Sequence, residues 1–149
     1  MSLRDWVREG WLGEHRSGAD EIQNLLGIAD RDLETSRIKD LPPDWRFAIA
    51  YNAALQAATA ALSAAGYRAG REAHHLHVIR SLEFTLRKDP AFVRRFDLFR
   101  RKRNVSSYER GGSISEMEAQ EMRALAETLR ADVEVWIRKA HPALWKPRK

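Results

Sequence analysis

Apolar residues recur at spacings of three and four along most of this chain, and that period predicts helices. Ile22, Leu25, Leu26, Ala29 and Leu33 form one such stripe. Ser17 or Asp20 is expected to cap the helix that carries it, which extends to about residue 37. Pro42 and Pro43 end this helix and open the next, because proline is accommodated in a first turn but breaks a helix interior. The next helix runs to about residue 65. It carries Trp45, Phe47, Ile49, Tyr51, Leu55 and Leu62 on several sides, with Ala48, Ala50, Ala53, Ala54, Ala57, Ala58, Ala60 and Ala61 between them. Apolar around most of its circumference, it is the expected central helix, and its alanines let neighbouring helices approach closely.

Gly66 is the expected cap of the central helix. A further helix is expected over residues 72–87, with His75, Val78, Ile79, Leu82 and Leu86 on one face. Asp89 and Pro90 then open a helix to about residue 108, which Gly111 and Gly112 break. Ser113 or Ser115 begins the last long helix. Its stripe is Met122, Leu125, Ala126, Leu129, Val133, Trp136 and Ile137, with Glu134 and Arg138 as an i,i+4 pair. His141 and Pro142 end it, ahead of a basic tail, 146–149, expected to be mobile. At the other terminus, residues 2–11 predict a short helix bearing Trp6 and Trp11 and weakened by Gly10 and Gly13.

No stretch alternates long enough to demand a strand, and no repeat of 20 to 50 residues is visible. The expected fold is all-α: one domain, residues 1–149, built as a bundle of four to five main helices with a short N-terminal helix. The composition, 44% hydrophobic and 32% charged over 149 residues, suits a single folded core. No run of roughly 18 apolar residues is present to span a bilayer, and Arg4, Asp5, Arg8 and Glu9 stand where a signal peptide would have its apolar segment. A cytoplasmic location, with no membrane contact, is therefore expected. Cysteine is absent, which excludes disulfides, thiolate metal sites and a cysteine nucleophile.

Charge changes the picture in one place. Between residues 94 and 110 stand seven basic residues (Arg94, Arg95, Arg100, Arg101, Lys102, Arg103 and Arg110) against Asp97 and Glu109, a local excess equal to the net +5 of the whole chain. Such a concentration suits an acidic partner such as nucleic acid. On a helical wheel Phe92, Phe96, Phe99 and Arg103 share one face, expected to be core, and Asp97, Arg101, Asn104 and Tyr108 share the opposite one. That second row of acid, guanidinium, amide and phenol can hold a phosphate or a base. It also fits an ordinary solvated face closed by an Asp97–Arg101 ion pair.

The stretch Arg103-Asn104-Val105-Ser106-Ser107-Tyr108, preceded by Phe99-Arg100-Arg101-Lys102, resembles the motif of HEPN domains, the higher eukaryote and prokaryote nucleotide-binding family. These helical bundles carry, late in the chain, an arginine, then Asn, Asp or His, then a few residues and a histidine. Asp44-Trp45-Arg46, Tyr51-Asn52-Ala53-Ala54, the Gly66-Tyr67-Arg68 turn and His74-His75 resemble the central helix and following turn of bacterial members. The resemblance covers roughly residues 20–140, with a HEPN-like core at about 17–140 and a basic tail at 141–149. It implies metal-independent RNA cleavage by arginine and histidine, often across a homodimer cleft, in toxin-antitoxin or defence systems. It also implies an antitoxin partner, or a nucleotidyltransferase partner that modifies a tyrosine near the motif, for which Tyr108 is the matching residue.

The chain departs from the motif at its last position: Tyr108 stands where active members carry histidine, and no histidine lies between His77 and His141. Tyrosine titrates near pH 10 and is a poor general base at neutral pH. General acid-base assistance contributes about 10²- to 10⁴-fold, so its loss predicts a weak enzyme or a pure binder. The expected nucleic-acid-binding residues are Arg100, Arg101, Lys102, Arg103, Asn104 and Tyr108. Arg103, Asn104 and Tyr108, or a histidine supplied from elsewhere, would act if the chain cleaves RNA.

Other clusters carry less. His74 and His77, three apart near Glu72, have metal-ligand chemistry but lack the i,i+4 spacing of a zinc helix, and His75 on the apolar face suits a hydrogen-bonded core histidine. No metal or other cofactor is expected. Ser106, Ser107 and Ser113 show no nucleophile elbow, and Gly111-Gly112 lacks the lysine of a phosphate loop. Trp136 and Trp145 suit either core or an interface. Three functions stay open: an RNA- or nucleotide-binding protein, which the missing histidine favours, a metal-independent endoribonuclease, and a non-catalytic protein-interaction module.

Overall fold

The computed structural model describes residues 1–108 and 114–146, with side chains for all but 105–108. Helix α1 (Leu3–Arg8) and strand β1 (Leu12–Glu14) lead into α2 (Ala19–Thr35) and α3 (Pro43–Ala64). Strand β2 (Tyr67–Ala69), the short helices α4 (His74–Arg80) and α5 (Leu82–Thr85), and the long α6 (Pro90–Tyr108) and α7 (Glu116–Ala140) follow. A 3-10 turn over Pro142–Leu144 closes the described chain. The protein is an all-α bundle whose four long helices are α2, α3, α6 and α7.

Helix α3 occupies the centre. Phe47, Tyr51 and Leu62 are buried in it together with Ala50, Ala53, Ala54, Ala57, Ala58, Ala60, Ala61 and Ala64. Alanine is the best helix former and loses no side-chain entropy, so this 22-residue segment is helical by preference and thin enough for close neighbours. Helices α2 and α7 pack most extensively against it, and α4, α5 and α6 cover its remaining buried side. The stripe from α7, Met122, Leu125, Ala126, Leu129, Val133 and Ile137, is buried as its spacing predicts, with Trp136 partly buried beside it.

The helix starts follow from their caps. Pro43 opens α3, and Ser115 begins α7 through a capping box: its hydroxyl accepts from the Glu118 amide, and the Glu118 carboxylate accepts from the Ser115 amide. Asp89 accepts from the Phe92 amide at 2.9 Å at the start of α6. Arg46, buried in the first turn of α3, donates from Nε to the Leu41 carbonyl at 2.8 Å and from its guanidinium to Glu116, tying the starts of α3 and α7 together.

Several boundaries differ from the sequence expectation. Helix α1 is shorter than residues 2–11, because Gly10 takes a left-handed conformation at φ +81° and the chain turns into β1. Strands β1 and β2 pair antiparallel, Leu12 opposite Ala69, and three residues each are too few for a period of two to show. Neither Ser17 nor Asp20 caps α2, whose N-cap is Gly18; the Ser17 hydroxyl donates instead to the Ser63 carbonyl at 2.7 Å. The single helix expected over 72–87 is two: the buried Ser81 hydroxyl donates to the Val78 carbonyl at 2.6 Å where α4 gives way to α5. Lys146, placed by sequence in a mobile tail, bonds Asp20 at 2.9 Å, while the rest of that tail, and Gly111, Gly112 and Ser113, lie outside the described residues. Among the described residues no helix is long and apolar enough to cross a membrane.

Because Ala57 is fully buried within α3, Ala57→Leu is expected to destabilise the protein by about 1–3 kcal/mol through overpacking, read as a lower urea midpoint. An unchanged midpoint would mean that this position has room the packed helices do not leave.

Candidate nucleic-acid interface

Helix α6 presents its basic residues in two directions. Phe96 and Phe99 are buried, meeting Tyr51 and Phe47 of α3 edge to face at ring separations of 5.9 and 5.6 Å. Arg103 lies on the same inward side, its guanidinium carbon 5.2 Å from the centre of the Tyr51 ring. Arg101 and Lys102 point outward. Arg101 is 66% exposed and pairs with Asp97 at 3.1 Å, while Lys102 pairs with Glu118 at the start of α7. Arg100 is largely covered and donates from Nε to the same Asp97 carboxylate at 2.7 Å.

The sequence row is therefore divided. Arg101 and Arg103 face different ways, as positions two apart on a helix must. Arg100 and Arg103, three apart, share the side that meets α3 and α4. Asn104 is partly buried, and the side chain of Tyr108, at the end of α6, lies outside the described residues. The Asp97–Arg101 pair expected of a solvated face is present, with Arg101 exposed and Asp97 largely covered. A phosphate can compete with the carboxylate for Arg101 or Lys102. Arg100, more deeply seated, anchors Asp97.

What the sequence did not assign to the site is His75. Its Nδ1 lies 3.2 Å from the Tyr51 hydroxyl, although Tyr51 is in the middle of α3 and His75 in the first turn of α4. Burial pushes the Tyr51 phenol above its ordinary value near 10, against the opposing pull of Arg103 and Arg100, so it keeps its proton at any physiological pH. Burial, followed by the charges of Arg103, His74 and Arg100, lowers His75 below its ordinary 6.5, so the imidazole is neutral at pH 7. Tyr51 has no other acceptor among the described residues and donates to Nδ1. A donating Tyr51 hydroxyl corresponds to the tautomer with the imidazole proton on Nε2.

The result is a half-covered cluster of Arg100, Arg103 and His75 gathered around a buried phenol, with Asp97 accepting from Arg100 at its edge. The other histidines stand apart in role. His74 Nδ1 bonds the Gly70 carbonyl at 3.1 Å, and His77 is buried with its ring stacked on Trp11 at 5.0 Å. Among the described residues no group of three or more His, Cys, Asp or Glu is placed to hold a metal ion.

A cavity of about 330 Å³ lies elsewhere, between α2, α7 and the C-terminal turn, lined by Ile22, Leu26, Arg130, Glu134 and Trp145 among others. Its inner arginine is committed: Arg130 bonds Asp30 at 2.8 Å and Glu134 at 2.9 Å, joining α2 to α7. No protein-family model, curated protein or solved structure matches the chain.

His75 and His77 both titrate below the ordinary histidine value, each chiefly because burial disfavours the cation. The unfolded chain then binds protons that the folded one refuses, so stability is complete above pH 6.5 and falls as the pH drops below it. Urea midpoints measured from pH 8 to pH 5 are expected to decline on acidification, and less steeply in His75→Gln. A flat profile would contradict the burial of both imidazoles.

Proposed function

We propose that the chain is a HEPN-like RNA- or nucleotide-binding protein that holds phosphate groups on the basic half of α6, with His75 of α4 as a further donor. The observation that carries this is the convergence of Arg100 and Arg103 with the Nε2–H of His75 around Tyr51. Arg101 and Lys102, on the outer side, extend the positive surface and can exchange their carboxylate partners for phosphates. The HEPN resemblance implies a homodimeric assembly with two α6 ends around one cleft. By the same resemblance a cytoplasmic toxin-antitoxin or defence role fits, with an antitoxin or nucleotidyltransferase as partner.

Binding is favoured over catalysis by the tautomer. With Nδ1 occupied by Tyr51, the free nitrogen of His75 already carries a proton. It can donate to a phosphate oxygen but cannot take the proton of a ribose hydroxyl. The metal-independent endoribonuclease is the second reading: His75, on α4, lies close enough to feel the Arg103 charge, and in the opposite tautomer its Nε2 would accept the proton of a ribose hydroxyl.

Arg101→Ala with Arg103→Ala is expected to weaken RNA binding and to flatten its dependence on salt by about two phosphate contacts. Arg101→Ala with Lys102→Ala, at solvent-facing positions, serves as the variant that leaves Arg103 on the Tyr51 ring. Binding isotherms between 50 and about 200 mM salt that coincide with those of the unaltered protein would remove the proposal. For the catalytic alternative, RNA incubated in EDTA should be cut by the unaltered protein and spared by His75→Ala; intact RNA in both samples across pH 5–9 would dismiss cleavage.

A further inference from the structure

Many arginines of this fold are held by a carboxylate: Arg31 by Asp32, Arg46 by Glu116, Arg100 by Asp97 and Arg130 by Asp30. Arg4 of α1 and Arg87, which follows α5, meet no such partner among the described residues. They line one concavity of about 370 Å³ together with Leu3, Tyr67 and Phe84. Pockets for small ligands begin at about this size, roughly 300 Å³. No carboxylate is among the described residues of its wall. Asp5 accepts from the Ser2 amide at 2.8 Å and pairs with Arg8 at 3.6 Å. Glu14, opposite Tyr67 in the strand register, and Glu83 of α5 are not part of the lining.

The apolar part of the wall is fixed. Phe84 meets the buried Trp6 edge to face at a ring separation of 5.2 Å, and Tyr67 is set by the pairing of β2 with β1. The Tyr67 hydroxyl bonds no described residue. Two guanidinium groups and a phenol therefore stand as donors beside two aromatic rings and a leucine, with no acid in the wall to neutralise them.

Arg87 carries a second, independent sign. It takes the left-handed conformation at φ +59°, one residue past the Leu86 cap of α5, where glycine is the usual occupant. A side chain at that position strains the backbone, and no hydrogen bond, ion pair or ring contact to a described residue offsets the strain. An arginine placed where glycine would be more stable is accounted for by what its guanidinium meets outside the chain. The guanidinium fork matches a carboxylate or a phosphate, which it can hold through two parallel bonds.

We propose that the concavity formed by α1, β2 and the end of α5 binds a small organic anion, an oxyanion on a flat apolar body. Arg4 and Arg87 hold the oxyanion, and Tyr67 and Phe84 lie against the body. The site shares no residue with the α6 cluster and does not rest on the RNA reading.

The test is an NMR titration of the full chain with phenyl phosphate and with phenylacetate, beside inorganic phosphate and benzyl alcohol, read at the amides of residues 67, 84 and 87. At least one aromatic anion should shift these amides to saturation, and the tighter of the two tells a phosphate from a carboxylate ligand. Inorganic phosphate and benzyl alcohol should each bind about ten-fold or more weakly, as should the aromatic anion to R4A and to R87G, while R87K recovers part of the loss. In urea, R87G should raise the midpoint of unfolding, because glycine relieves the strain. No saturable shift with either aromatic anion overturns the proposal, as does equal binding of benzyl alcohol or inorganic phosphate, or unchanged affinity in R4A and R87G. A lower urea midpoint in R87G overturns it too, by making Arg87 a structural residue. Displacement of the bound anion by single-stranded RNA overturns the assignment to a small molecule.

Discussion

The hydroxyl of Tyr51, buried in the alanine-rich centre of the bundle, is the group on which the rest of the site depends. A phenol with so little access to water has to place its hydrogen bond inside the protein, and the acceptor within reach is His75 Nδ1. That one bond fixes the rotation of α4 against α3, the tautomer of the imidazole and the nitrogen left for a ligand. The ring of the same residue seats Phe96 edge-on and carries the Arg103 guanidinium on its face. Three helices thus meet on one side chain, which contacts both His75 and Arg103.

Two kinds of positive charge result. Arg100 and Arg103 are held by the fold, close enough to His75 to add to the burial that suppresses its protonation. Arg101 and Lys102 are exposed themselves and pair with the partly covered carboxylates of Asp97 and Glu118. The first kind is preorganised and fixes where a phosphate sits, whereas the second adds long-range attraction that salt can screen. Asp97 links them, accepting from Arg100 and Arg101 together, so occupation of the outer arginine by a phosphate strengthens the hold of Asp97 on the inner one.

Much of the fold was legible because the punctuation along the chain is strong. Pro43 and Ser115 begin helices where their chemistry requires, and the α7 stripe is buried except for Trp136, which is partly covered. The boundary at Ser81 was not legible, since the hydroxyl-to-carbonyl bond that ends α4 leaves the apolar spacing intact on both sides. In the site, the basic segment was plain from charge alone. The wheel also placed Arg103 among phenylalanines, and a cation on a core face is the signal that an inward aromatic or anion must receive it. Tyr51 and His75, 24 positions apart, gave no such signal. Each is an unremarkable apolar-face residue in its own helix, and only the packing of α4 on α3 joins them. Trp45 was read as one more apolar residue of the central helix but is exposed, because periodicity does not say which side of a helix its neighbours leave bare.

The measurement that bears most directly on this account is the NMR titration of the His75 imidazole nitrogens, free and saturated with a short single-stranded RNA. The free protein should show the Nε2–H tautomer and a midpoint below the ordinary histidine range. With RNA bound, a phosphate beside the ring should raise that midpoint. An Nδ1–H tautomer, or a titration curve unmoved at saturation, would contradict the claim that His75 and the arginines of α6 form one phosphate site.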